Sequence, residues 1–273
     1  MHMEEIISQI TPLNEDCMKL AQARFDALIK PVGSLAKLEL MVSRYAGIVG
    51  KYSKDELLAP PKAVLVWCGI EQAAEAEKIF RGNWPVNILA KSVGADVHPL
   101  LVVSENLSDA LEEGAGLVHE LVSKGEYGVL GFGSIAGPED SVVQAAMAGA
   151  MLQAAAIKVP VMLDGVASCK AALKAIQIGS NVKEYLLAGH VSAEAGAEAV
   201  LKELGLEAPL RLNLPDGVGE GAAVAFSLFD AGIRAYREME TFEEAGVHDE
   251  MKDFSRKEET KGAHWQQDCE AKE

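Results

Sequence analysis

The chain has 273 residues, of which 49% are hydrophobic and only 5% aromatic, and it carries a formal net charge of −16 at pH 7. That length can bury one large core, alone or with a smaller satellite, and the low aromatic content favours an α/β protein over a β-sandwich. The acidic balance argues against nucleic acid or an anionic membrane surface as a partner.

Residues 4–28 read as one or two amphipathic helices, with Ile6, Ile7 and Ile10 at helical spacing in the first part and Cys17, Leu20, Ala21 and Phe25 in the second. Pro12 separates the two parts. Pro31 and Gly33 mark a turn, after which Ser34 is the expected N-cap of a helix running to about Val49. Beyond Pro60-Pro61 the continuous apolar run Ala63 to Cys68 reads as a buried parallel strand. Similar runs recur at Leu100 to Val103, Gly128 to Phe132, Val159 to Leu163 and Glu184 to Leu187, and helical stretches at 71–94, 106–123, 139–157 and 193–204 lie between them.

This alternation predicts an α/β fold with a doubly wound, Rossmann-like parallel sheet, whose ligands sit at the carboxyl ends of the strands. A last helix is expected over 222–239. The charged segment from about Glu243 to Glu273 reads as a solvated helix or frayed tail. Cys17, Cys68, Cys169 and Cys269 form no CxxC pair, so neither a zinc site nor a disulfide framework is expected, and a reducing cytoplasm is the simplest setting. The first ten residues lack the features of a signal peptide, and no apolar run is long enough to cross a bilayer.

Five places carry candidate chemistry. Glu220, held between Gly219 and Gly221 ahead of an apolar run, is either a carboxylate made basic by desolvation or a helix-start acid favoured by the dipole. Asp164-Gly165, at a strand's carboxyl end, is placed for ligand contact or for capping the helix 166–175. The stretch from Gly189 to Glu194 starts a helix where Ser192 and Glu194 can satisfy free amides or where an anion can bind, and His190 packs or acts in that turn. Gly131-Phe132-Gly133-Ser134 lacks the full dinucleotide fingerprint and reads as a tight turn or an oxyanion cradle. Glu126, between Gly125 and Gly128, reads as a surface turn or a site acid. No pair of His has metal-ligand spacing and no phosphate loop or Ser elbow appears, so no metal and no cofactor is expected.

Lys30-Pro31-Val32-Gly33-Ser34-Leu35 with Leu38-Glu39 resembles the KPxGSLxxLE opening of the CobT family of nicotinate-nucleotide:dimethylbenzimidazole phosphoribosyltransferases. The resemblance continues in family order through Asn87-Ile88-Leu89-Ala90, Gly125-Glu126, Ala145 to Ala150, Leu163-Asp164-Gly165, His190 to Glu194, Gly219-Glu220-Gly221, Glu238 to Phe242 and Glu244 to Val247. It implies a sheet domain (59–220) beside a small helical domain built from both chain ends (1–58 and 221–273), assembled as a dimer. It also implies transfer of phosphoribose from nicotinate mononucleotide to an aromatic base or phenol, in the lower-ligand step of cobamide synthesis. Glu220 matches the family's catalytic base. Glu126 matches the acid of its GEMGIGNTT motif, and Gly165, Ser192 and Gly221 match substrate-binding positions.

The departures from the family pattern are equally specific. Trp67-Cys68-Gly69 replaces Asp-His-Gly, Gly82-Asn83-Trp84-Pro85 replaces a small-residue run, and Ala222-Ala223 follows the GEG motif. The GIGNTT half of the central motif is absent, together with a lysine that faces the phosphate, a contact worth about 1.5–3 kcal/mol. The expected partner is therefore a homologous, active subunit in a heterodimer. The alternatives are a homodimer with altered base choice and a non-enzymatic nucleotide sensor on the same fold.

Overall fold

The computed structural model describes residues 2–247; the predicted tail beyond Val247 lies outside the described residues. Five parallel strands form one sheet in the order β2-β1-β3-β4-β5. They are β1 (Lys62–Gly69), β2 (Ala95–Val102), β3 (Val129–Ser134), β4 (Val161–Leu163) and β5 (Leu186–Ala188). Ten α-helices are described: α1 (Met3–Gln9), α2 (Glu15–Ala27), α3 (Lys37–Val49), α4 (Ala73–Phe80), α5 (Pro85–Ser92), α6 (Leu107–Gly125), α7 (Ser141–Ala156), α8 (Val166–Ile178), α9 (Ala197–Leu204) and α10 (Glu220–Glu238). None of them is long and apolar enough to cross a membrane.

The period of two along β1 separates the two cores. Ala63, Leu65 and Trp67 join the apolar layer under α1, α6, α7 and α8. Val64, Val66 and Cys68 join the layer under α2, α3, α5 and α10. Full burial on both faces explains why β1 carries no alternation of polar residues. Trp67 is wholly buried, its ring tilted on Phe132 at 5.5 Å between centroids.

Several boundaries differ from expectation. The helix after Ser34 begins at Lys37 behind Ala36, whose φ is +46°, and Ser34 does not cap it. Glu39 organises this turn instead. Its Oε1 accepts from Lys30 Nζ at 2.8 Å and from the Leu35 amide at 3.0 Å, and Oε2 accepts from Gln22 at 3.1 Å. Burial would raise the Glu39 pKa, but these donors hold it below the ordinary carboxylate value. The Lys-Pro-x-Gly-Ser-Leu-x-x-Leu-Glu stretch is thus a buried ion-pair knot at the start of α3.

The expected helix 71–94 is broken, because Gly82 adopts φ +80° and Pro85 starts a new helix behind Trp84. Gly131 and Gly133 lie within β3 rather than after it. Strand β5 is shortened by a 3₁₀ segment over Ser180–Tyr185.

Helices α6 and α7 cross on glycine. A Cβ on Gly114 would stand 1.8 Å from the Ala146 carbonyl oxygen, and one on Gly149 would stand 1.9 Å from that of Leu111. Gly116, on the same helix as Gly114, faces open space. Gly114→Ala is expected to destabilise the fold by about 1–3 kcal/mol, whereas Gly116→Ala stabilises it by about 0.5–1 kcal/mol; urea denaturation followed by circular dichroism checks both.

Candidate functional site

The site lies at the carboxyl ends of β3, β4 and β5, where the first turn of α10 descends onto the sheet. Glycine makes that descent possible. A Cβ on Gly133 would lie 2.1 Å from the Val218 carbonyl carbon, and one on Gly131 would lie 3.0 Å from the Ala222 Cβ. The Gly-x-Gly of β3 is therefore a notch for α10 and not a cofactor turn. Gly219, at φ +114°, turns the chain into the helix, and Glu220 is its first residue.

Asp164 follows β4 directly and is 3% exposed. Its Oδ2 accepts the Gly219 amide at 2.5 Å. Its Oδ1 stands 3.0 Å from Nδ1 of His190, which follows β5 and is fully buried, although the two atoms are not aligned for a hydrogen bond. A Cβ on Gly221 would strike that pair, 2.0 Å from His190 Nδ1 and 2.3 Å from Asp164 Oδ1. Gly221 is thus glycine because the Asp164–His190 contact sits beneath it.

Glu220 is buried, with 8% of its surface exposed. Desolvation raises its pKa first, and the charges of Asp164 and Asp216 raise it further. The arrangement makes Glu220 a better proton acceptor than an exposed carboxylate.

Ser192 and Gly165 meet around a second carboxylate. Glu194 Oε2 accepts from the Val166 amide at 2.8 Å and from Ser192 Oγ at 2.9 Å, and a Cβ on Gly165 would come within 2.4 Å of it. Val166 opens α8, so the anion seat at that helix N-terminus holds the chain's own acid. The same is true of α7, where Asp140 accepts from the amides of Val142 and Val143 at 3.1 and 3.0 Å. Three backbone bonds staple the segment 210–217 over this edge of the sheet: Val191 N to Leu210 O, Ala193 N to Leu214 O and Ser134 N to Gly217 O.

Two clefts open along the carboxyl edge of the sheet. One of about 350 Å³, beside the point where strand order reverses, is walled by Glu71, Glu105 and Asp140 with no basic residue in its lining. The other, of about 710 Å³, runs past Ser192 and carries Lys202 and Arg211 against Glu194 and Glu198; Arg211 is ion-paired with Glu198. Among the described residues no group of three or more His, Cys, Asp or Glu is arranged to hold a metal ion.

Of the residues singled out in the sequence, Glu220, Gly221, Gly165 and Ser192 converge on this edge. Glu126 does not join them. It caps α6 at φ +53°, exposed, at the amino end of β3. The strand's carboxyl end is occupied by Ser134, whose Oγ donates to the Trp67 carbonyl. Two further residues enter only with the structure: Asp140, and Glu194 as the partner of α8. The acid before the apolar run Val142–Val143 is a readable cap signal, whereas the contact across 28 residues leaves no local trace.

A family model described as phosphoribosyltransferase matches residues 10–125 and 141–247, leaving Glu126 outside the match. Nicotinate-nucleotide–dimethylbenzimidazole phosphoribosyltransferases are similar to the chain. That of Acetivibrio thermocellus is 26% identical over 345 aligned positions, covering 89% of this chain and 97% of that protein. That of Geotalea uraniireducens is 27% identical over 348, covering 90% and 98%. The fold is like that of the nicotinate-nucleotide-dimethylbenzimidazole phosphoribosyltransferase of Thermus thermophilus, with a TM-score of 0.75 and 21% identity over 87% of this chain and 100% of that one.

The raised Glu220 pKa carries a stability consequence. The native state holds this proton more tightly than the unfolded chain, so native stability falls as pH rises from the unfolded carboxylate value through the folded one. Glu220→Gln is expected to melt with the wild type at acid pH and above it at neutral pH; scanning calorimetry between pH 4 and 8 reads the widening gap.

Proposed function

The chain belongs to this phosphoribosyltransferase family, and from that membership we propose that it is a CobT-like phosphoribosyltransferase subunit of cobamide lower-ligand activation, working with a homologous, active partner. In this reading phosphoribose passes from nicotinate mononucleotide to an aromatic base or phenol. The bond from ribose C1 to nicotinate breaks, a bond from C1 to the acceptor forms, and Glu220 takes the acceptor's proton. Gly221, Gly165 and Ser192 line the same edge of the sheet and are assigned to the substrate side. Glu126, at the opposite end of β3, receives no role.

The observation that carries the subunit reading is the charge of the strand-end edge. The proton acceptor is present, but the N-termini of α7 and α8 are capped by Asp140 and Glu194, and the cleft beside the strand reversal is lined by three acids and no base. A phosphate dianion placed there meets repulsion from these acids, and the amides of Val142, Val143 and Val166 are already engaged. The alignment with the Acetivibrio thermocellus relative supports the same view. This chain supplies about 243 residues to 345 aligned positions, so about 100 positions of that relative have no counterpart here. In this reading the cation for the sugar-phosphate comes from the second polypeptide, because Lys202 and Arg211 of the larger cleft stand against Glu194 and Glu198. Retention of a buried, basic Glu220 favours a second reading, a homodimer active with an altered base.

Nicotinate release, followed chromatographically, separates them. The purified chain alone is expected to release none above blank from nicotinate mononucleotide and an aromatic acceptor, and the chain co-purified with a longer homologue to turn over. Glu220→Gln in that complex is expected to cut the rate by about 10²–10⁴-fold. An undiminished rate in the variant removes Glu220 from the chemistry, and turnover by the lone chain favours the homodimer.

A further inference from the structure

We propose that Asp164 is a positioning residue for Glu220, fastening the first turn of α10 to the ends of β4 and β5 through one buried carboxylate. The proposal rests on the reading of Glu220 as the proton acceptor and goes beyond it, because it assigns a role to a group that meets no substrate.

The geometry is specific. Asp164 is itself pinned where it leaves β4: its amide donates to the Phe132 carbonyl at 3.2 Å and to Ser168 Oγ at 3.1 Å. From this fixed point Oδ2 accepts the Gly219 amide in a charge-assisted hydrogen bond. Gly219 is the last residue before the helix and sits at φ +114°, a conformation open to glycine, so fixing its amide fixes the entry into α10. Oδ1 meets the His190 ring at 3.0 Å, and Gly221 rests on both. The carboxylate therefore contacts the residues on each side of Glu220.

The fastening also adds to the acceptor's basicity, after the larger effect of desolvation. The titratable groups around Glu220 are Asp164 from β4, His190 from β5 and Asp216 from the preceding segment. Asp164 is buried, whereas Asp216 is exposed and screened by water. A buried negative charge beside Glu220 opposes its ionisation more strongly than a solvated one. One side chain thus supplies both orientation and proton affinity.

The test needs no turnover, so it fails or succeeds independently of the catalytic assignment. The full chain is labelled with ¹³C-glutamate and ¹⁵N-glycine and titrated by NMR. In the wild type Glu220 is expected to titrate above the other glutamates, and the Gly219 amide to be protected from exchange. Asp164→Asn is expected to move the Glu220 titration downward and to speed Gly219 exchange by about 10- to 100-fold, the fold-change of losing a charge-assisted hydrogen bond. Asp216→Asn moves the titration less and leaves Gly219 exchange unchanged. An unmoved Glu220 titration in folded Asp164→Asn overturns the proposal. If that variant does not fold, the wild-type Gly219 amide decides: exchange at the rate of an exposed loop amide overturns the proposal, and strong protection supports it.

Discussion

A helix can bring a functional side chain onto a sheet only if the backbones at the crossing come closer than side chains allow. Here that close approach governs everything that follows. Gly131 and Gly133 remove two side chains from the face of β3, Gly221 removes one from the underside of α10, and the Asp164 carboxylate fills the remaining gap with a hydrogen bond to Gly219. Burial of Glu220 is the result. The same approach that orients it strips its water, and stripped of water beside a second carboxylate it resists ionisation.

The electrostatics of this edge have two sides. Concentrating Asp164, Glu194, Asp216 and Glu220 in one region suits the acceptance of a proton and opposes the binding of a phosphate. Enzymes of open α/β architecture resolve that conflict by aiming helix N-termini at the anion. In this chain two such termini are already satisfied internally, α7 by Asp140 and α8 by Glu194 with Ser192. The internal acids stabilise the chain's own helices, and in the proposed pair the partner subunit would meet the anion's charge.

The sheet was legible because the interior strand β1 is apolar from Ala63 to Cys68, a run it matches within a residue at each end. The edge strand β2 was legible only at its end, since Asp96, His98 and Pro99 interrupt the apolar run at a position with a free flank. The site was legible in part. Glycine flanking marked Glu220, and the same signal marked Glu126, where the glycine context serves a left-handed helix end instead. A local pattern of that kind reports an unusual backbone and leaves open its purpose. What the sequence did not disclose is mostly long-range: Asp164 to Gly219 spans 55 residues and Val166 to Glu194 spans 28. The nearby pair Lys30 and Glu39 forms a knot that the motif's polar residues alone do not distinguish from a binding site.

The central claim is that this chain holds a proton acceptor without a seat for the nucleotide's phosphate. The most direct measurement is ³¹P NMR of nicotinate mononucleotide titrated with the purified chain. The account predicts a phosphate resonance that keeps its position and width at protein excess, and broadens or shifts only when a homologous subunit is added. A saturable shift with the chain alone, abolished by competing inorganic phosphate, would contradict it.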